Sequence, residues 1–341
     1  VKPSPIRNFG LLVALVALAA CGPSTGASPP ASPSAQPVKL TVGLGYIPNV
    51  QFAQFYLADQ AGYYRDAGLE VTFQNGRDAD LIPLAAQGQI DIAIADGTSL
   101  IPAVSQGIPV RYVATIYARF PNVVFAKASS GITSAADLKG RKIGTPGKYG
   151  SGWIMLQGLL KSADLTTGDV SVQLYPDYGQ LTGVEQNQVD AATGFANNEP
   201  IQLGRTGASP VVLTIDGIVP LPGNGLIAGT KTLATKRDAI ARFIAATLRA
   251  MTDIGTDPQR GLDAAIKVVP EIASDKAGQT AVLRATIDMW HDALTDAHGL
   301  GTIDTDGWTK SIAFLSSLPG GLVPNPVTVD GMVDSSLLPM P

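Results

Sequence analysis

The sequence predicts an α/β fold of two lobes, each a mostly parallel sheet flanked by helices, followed by a helical C-terminal tail. Three observations lead there. Short β-branched runs alternate with amphipathic stretches from Val38 onward, which is the pattern of sheets covered by helices. The alternation comes in two series, the second starting near Asn122. After about Asn224 apolar residues recur at helical spacing instead.

The elements follow in order. "KLTVGLGYI" is the first strand, and residues 49–67 read as a helix whose apolar surface comes from Phe52, Phe55, Tyr56, Leu57 and Ala58, with Tyr63 and Tyr64 divided between its surface and the core. Gly68 offers the C-cap before the strand in "AGLEVTF". A helix "DLIPLAAQG", a strand "IDIAIADG", a helix "SLIPAVSQG" and a strand "VRYVATIYA" complete the first series. The second runs through strand "NVVFAKA", helix "SAADLKG", strand "KIGTPG", a helix over residues 151–163, strand "VSVQLYP", helix "GQLTGVEQNQ" and strands "VDAATGFA" and "PVVLTIDGI". The tail holds "DAIARFIAATLRAMTDIG", "QRGLDAAIKVVP", "QTAVLRATIDMWHDAL" and "GWTKSIAFLSSL". The expected division is residues 38–121 with 223–341 as lobe I and 122–222 as lobe II, so that the chain crosses between lobes twice.

Composition excludes several functions. The 341 residues are 45% hydrophobic, ample for a core, and only 15% charged, with 24 Lys and Arg against 28 Asp and Glu and no basic tract. Nucleic acid is therefore not an expected partner. Lys2 and Arg7 precede an apolar run, Phe9 to Ala20, too short to span a bilayer, and residues 1–20 read as a secretory signal. The run ends "LAAC", which looks like a lipoprotein cleavage site with Cys21, the single cysteine, as the lipidated residue; an incidental cysteine beside an ordinary signal is the alternative. Residues 21–37, rich in Pro, Ser, Ala and Gly, read as an unstructured tether. The expected location is lipid-anchored at the cell membrane, facing the periplasm or cell exterior.

No H-E-x-x-H, paired-cysteine or G-x-S-x-G pattern occurs, and the two histidines, His291 and His298, lie in the helical tail. No metal, cofactor or catalytic residue is expected. "DTDGW", residues 304–308, lacks the alternating ligands of a calcium loop and reads as a helix start. In "GTPGKYGSGWIMLQGLL", residues 144–160, the lysine precedes the later glycines and no G-x-G-x-x-G is present, so it is not a nucleotide loop. An anion at this helix N-terminus, beside Lys148, stays open.

Four segments resemble the type II periplasmic substrate-binding proteins of ABC importers, in the branch that takes in sulfonate-, nitrate-, taurine- and thiamine-precursor-binding proteins. They are residues 45–73, "GQIDIAIADGTSLIPAVSQGIPVRYVA", "SAADLKGRKIGTPG" and "VDAATGFANNEP", in the family's order. "YIPNVQFAQFY", "GKYGSGW" and "NNEP" are most similar to receptors for riboflavin or for pyrimidine precursors of thiamine. The resemblance implies a two-lobed receptor, expected to be a monomer, that delivers a small ligand to an ABC permease. The fungal thiamine-pyrimidine synthases share this fold, but their cysteine-rich motif is absent. A synthase-like enzyme and a sensor lipoprotein are the alternatives of other classes.

In open α/β sheets ligands bind beyond the carboxyl ends of strands. The candidate ligand-binding residues taken from those loops are Tyr46, Asn49, Gln51, Asp96, Thr98, Tyr117 and Arg119 in the first series. The second supplies Lys148, Tyr149, Ser151, Trp153, Tyr178, Asn197, Asn198 and Glu199. Aromatic rings outnumber cations, which suits a flat aromatic ligand. Glu199, acceptor-only when ionised, suits N–H and O–H donors and would repel a sulfonate. Riboflavin is the first expectation, a thiamine-type pyrimidine the second, and a sulfonate or nitrate the third. Tyr46, Tyr149 and Trp153 are equally readable as core or rim aromatics, Asn197 and Asn198 as a turn before Pro200, and Asp96 as a helix N-cap.

Overall fold

The computed structural model describes residues 36–76 and 78–339; the signal, Cys21 and nearly all of the tether lie outside them. The first series forms β1 (Val38–Gly45), α1 (Ala53–Gln60), α2 (Tyr63–Asp66), β2 (Leu69–Gly76), α3 (Asp78–Gln87), β3 (Ile92–Ala95), α4 (Gly97–Ser105) and β4 (Val110–Thr115). The single helix expected over residues 49–67 is broken. A 3-10 turn at Val50–Phe52 precedes α1, and Gly62, left-handed at φ 79°, separates α1 from α2. Gly68 does follow α2 with φ 70°, as a helix-ending glycine should.

The second series forms β5 (Asn122–Lys127), β6 (Lys142–Thr145), α5 (Gly150–Ser162), β7 (Ser171–Leu174), α6 (Gln180–Glu185), β8 (Ala191–Phe195), α7 (Glu199–Arg205) and β9 (Pro210–Leu213). "SAADLKG" makes only a 3-10 turn, Ala135–Leu138, closed by a capping box between Ser134 and Asp137. The helix α7 is not among the elements expected from the sequence; Pro200 occupies its first turn, where the missing N–H costs nothing.

The chain then forms a strand that the helical reading of the tail missed, β10 (Gly225–Gly229), whose five residues are all buried. After it come α8 (Thr230–Thr256), α9 (Pro258–Val268), α10 (Lys276–Met289), α11 (Ala293–His298), α12 (Thr305–Ser317) and α13 (Val329–Met332). Asp304 of "DTDGW" is the N-cap of α12, accepting from the Gly307 N–H at 2.9 Å.

The strands assemble into two five-stranded sheets, ordered β2-β1-β3-β10-β4 and β7-β6-β8-β5-β9. Both are mixed rather than simply parallel: β10 runs antiparallel to β3 and β4, and β5 runs antiparallel to β8 and β9. The first sheet draws on residues 38–115 and 225–229, the second on 122–213. Two connectors therefore join them, and they are tied together where the N–H groups of Ile116 and Tyr117 both donate to the Asn224 carbonyl, at 3.0 and 2.7 Å.

One face of the first sheet is covered by α1, α8, α9 and α10, with Phe55, Tyr64 and Phe243 at its centre. Tyr64 and Phe55 flank Phe243 in near-parallel stacks, with centroids 4.8 and 6.3 Å away. A second cluster is shared between the sheets through α4, α5 and α12. The outer face of the second sheet rests on a smaller one, Phe125, Val184, Val189, Ala192 and Leu203.

Candidate ligand cleft

Because both sheets present the carboxyl ends of β1, β3, β6 and β8 toward the connectors, the loops after them converge on one cleft. It is a partly solvent-open cleft lined by residues of both sheets and both connectors.

Nine of the fifteen residues expected from the sequence line it: Tyr46, Gln51 and Tyr117 from the first-sheet side, and Tyr149, Ser151, Trp153, Tyr178, Asn198 and Glu199 from the second. Tyr46 and Tyr178 meet across the gap, centroids 4.7 Å apart and planes at 80°. Both carry positive φ, 82° and 62°, a conformation disfavoured for tyrosine. Strain of this kind concentrates at functional sites. Tyr149, exposed and at the N-cap of α5, makes no side-chain capping bond, and its ring lies over Gly147. Trp153 is half-buried and also packs against the shared core. Trp153→Ala is therefore expected to cost some stability in the empty protein.

Glu199 opens α7 and points back to the end of β8, where its Oε2 accepts from the Phe195 N–H at 2.7 Å. A side chain at position 194 would collide with that carboxyl, since a Cβ there would lie 2.9 Å from Oε2, which accounts for Gly194. Burial raises the Glu199 pKa, opposed by hydrogen bonds from the backbone and the Asn198 side chain. Tyr46 is raised as well, by burial first and then by the charge of Glu199. Burial likewise holds Tyr117 up at about 12, against hydrogen bonds from Asn197, Thr286 and Gln51. Burial thus opposes ionisation of all three groups.

The other six expected residues stand off the cleft wall for identifiable reasons. Asn49 caps the 3-10 turn, its Oδ1 accepting from the Gln51 N–H at 2.8 Å. Asp96 is the N-cap of α4, accepting from the Ser99 N–H at 3.0 Å and from the Thr98 hydroxyl, so both Asp96 and Thr98 are spent locally. The Ser151 hydroxyl also reaches Asp96, and burial keeps the Asp96 carboxyl above its ordinary range despite these bonds. Arg119 points away, its N–H donating to the Asp288 carbonyl at 2.5 Å. Lys148 is exposed, with its Nζ 5.8 Å from the Trp153 ring centroid. Asn197 is buried beneath the wall, donating to the Thr286 hydroxyl at 2.8 Å and so fastening the β8–α7 turn to α10.

Sequence reasoning missed four amides that do line the cleft: Gln54, Asn122, Gln180 and Asn224. Gln54 lies three residues after Gln51, so helical spacing could have found it. Gln180 opens α6, just beyond the loop that follows β7. Asn122 and Asn224 sit at the amino ends of β5 and β10, the antiparallel strands, whose starts lie at the same sheet edge as the ends of their parallel neighbours. Among the residues lining the cleft there is no Lys or Arg, and Glu199 is the one acidic group. Among the described residues no cluster suited to a metal ion occurs.

The geometry is a two-sheet clamp around an aromatic, amide-lined space. The family described as NMT1/THI5 like matches residues 49–261 of this sequence. The chain belongs to that family. Among its relatives, the riboflavin-binding protein RibY of Chloroflexus aurantiacus is 32% identical over 98% of this chain and 97% of its own length. The 4-amino-5-hydroxymethyl-2-methylpyrimidine phosphate synthase THI11 of Saccharomyces cerevisiae is 23% identical, covering 70% of this chain and 73% of that protein. Of solved structures, the alkanesulfonate-binding protein SsuA from Xanthomonas axonopodis pv. citri superposes with a TM-score of 0.67 at 17% identity, covering 89% of this chain and all of the other. The family therefore spans binding proteins and proteins named as synthases, on the fold that the sequence predicted.

Proposed function

We propose that this chain is the substrate-binding component of an ABC importer, capturing a small aromatic vitamin, riboflavin in the first instance, and delivering it to a membrane permease without chemical change. The observation that carries this is the cleft's lining: aromatic rings from both sheets, buried neutral amides and one buried carboxyl, with no cation. A flat heteroaromatic ring stacks on Tyr and Trp faces while its N–H and C=O edge meets the amides. RibY, similar over nearly the whole chain, is named for binding riboflavin. Closure would follow from a ligand that touches both sheets at once and so favours the closed state by its differential contacts.

A pyrimidine precursor of thiamine is the second reading, supported by the relatives named for pyrimidine phosphate synthesis. The reading as a carrier rather than a synthase rests on the cleft, whose walls offer no histidine, cysteine or carboxylate pair for catalysis. Anchoring through a lipidated Cys21, action as a monomer and the division into two lobes at residues 121–122 and 222–223 belong to the same proposal.

Titrating the purified chain with riboflavin tests it. Saturable quenching of flavin fluorescence at micromolar or lower concentration is expected. No binding of riboflavin, alongside tight binding of hydroxymethylpyrimidine in calorimetry, would replace the first reading by the second. Loss of palmitate incorporation in cells on Cys21→Ser tests the anchor.

A further inference from the structure

Four amides in the polar wall of the cleft each carry a buried atom without a partner. Gln54, on α1, is 1% exposed and its Oε1 accepts no hydrogen bond; Gln180, opening α6, is 2% exposed and its Oε1 is likewise unpaired. Asn224, in the returning connector, has a buried and unpaired Oδ1, and Asn122, 4% exposed at the start of β5, has an unpaired Nδ2. Buried polar atoms in folded proteins are paired as a rule. Four residues that line one cavity, from both sheets' sides and from the connector region between them, thus each carry an unpaired polar atom that a guest in the cavity can partner.

Their identities define that guest. Three are acceptors, so the ligand must bring several O–H or N–H donors; one is a donor, so it must bring at least one acceptor. The buried Glu199 carboxyl adds to the acceptor side. Against an anion the wall offers no Lys or Arg. The N-terminal turn of α5 is the feature that could hold one, but its Ser151 hydroxyl already reaches the Asp96 carboxyl, so an incoming anion would meet a carboxyl group there. A phosphate monoester adds about −1.5 to −2 charge near neutral pH and supplies acceptor oxygens where the wall needs donors.

We infer that Gln54, Gln180 and Asn224 are specificity-determining residues, whose unpaired oxygens select the neutral, multiply hydroxylated form of the ligand and reject its phosphate ester. The inference rests on the reading of the cleft as a site for an aromatic vitamin. In the flavin series the selected form is riboflavin, with its ring imide and ribityl hydroxyls, and the rejected one is flavin mononucleotide. In the pyrimidine series the pair is 4-amino-5-hydroxymethyl-2-methylpyrimidine and its phosphate.

The test is calorimetry of the purified chain with all four compounds, together with Gln54→Leu and Gln180→Leu. The wild type is expected to bind the unphosphorylated member more than tenfold tighter than its phosphate. Each leucine variant is expected to lose at least tenfold in affinity for that member while the melting temperature of the empty protein holds or rises, because an unpaired buried amide has gone. A phosphate form bound within tenfold of its parent overturns the inference, as does a folded leucine variant with wild-type affinity. Should a variant not fold, the wild-type ratio decides. If neither flavin binds but the pyrimidine does, the riboflavin reading fails while the ratio within the pyrimidine pair still judges this one. Binding of none of the four overturns both.

Discussion

The two sheets share a strand order and differ in what supports them. In each, the fourth position is held by an antiparallel strand that the chain reaches only after crossing from the other sheet, β10 in the first and β5 in the second. The first sheet is backed by four helices and a broad aromatic core, whereas the outer face of the second rests on five fully buried residues and leaves β7 largely exposed. The cleft draws rings and amides from both. The difference teaches that equal topology does not mean equal anchoring: the first sheet is a heavily packed base, and the second a lighter arm that supplies most of the cleft's aromatic and acidic groups.

Substitutions in the two cores put this to the test. Phe243→Ala removes the middle ring of the Tyr64–Phe243–Phe55 stack and is expected to cost about 4 kcal/mol in denaturant unfolding. Leu203→Ala, in the small cluster of the second sheet, is expected to cost less, about 2 kcal/mol, because a shallow cluster can relax around the gap. Equal losses would mean that the arm is as firmly packed as the base.

Glu199 allows a third comparison, through pH. Burial holds its carboxyl above the ordinary value of 4.5, so the folded chain retains this proton to higher pH than the unfolded chain does. Its burial is without cost below about 4.5 and becomes costly as pH rises through the folded-state value. The stability of the wild type relative to Glu199→Gln should therefore fall as pH is raised from 4 to 8. A gap that stays constant, or widens toward acid, would show that the carboxyl is not destabilised by burial. The smallest effect is expected at the edge of the first sheet, where Lys39 and Glu70 lie 3.6 Å apart with both side chains exposed. Lys39→Ala should change stability by less than about 0.5 kcal/mol.

The sequence by itself determined the fold class, the alternation that builds both sheets, the absence of familiar catalytic motifs and the aromatic character of the site, because these follow from local periodicity and from loops after strands. Nine cleft residues were legible that way. Tertiary structure alone decided the rest. A five-residue apolar run such as Gly225–Gly229 carries no periodicity to separate strand from helix, so β10 became visible only in its pairing with β3 and β4. With β10 and β5 running backward, their first residues arrive at the cleft edge, and Asn122 and Asn224 enter the site from positions that a rule about strand ends does not reach. The same holds in reverse for Asp96 and Asn197. Sequence leaves Asp96 open between cleft contact and helix N-cap, and Asn197 between cleft contact and turn; the folded chain makes the first the cap of α4 and the second a fastener beneath the wall, since a buried polar group bonds to whichever partners come within reach.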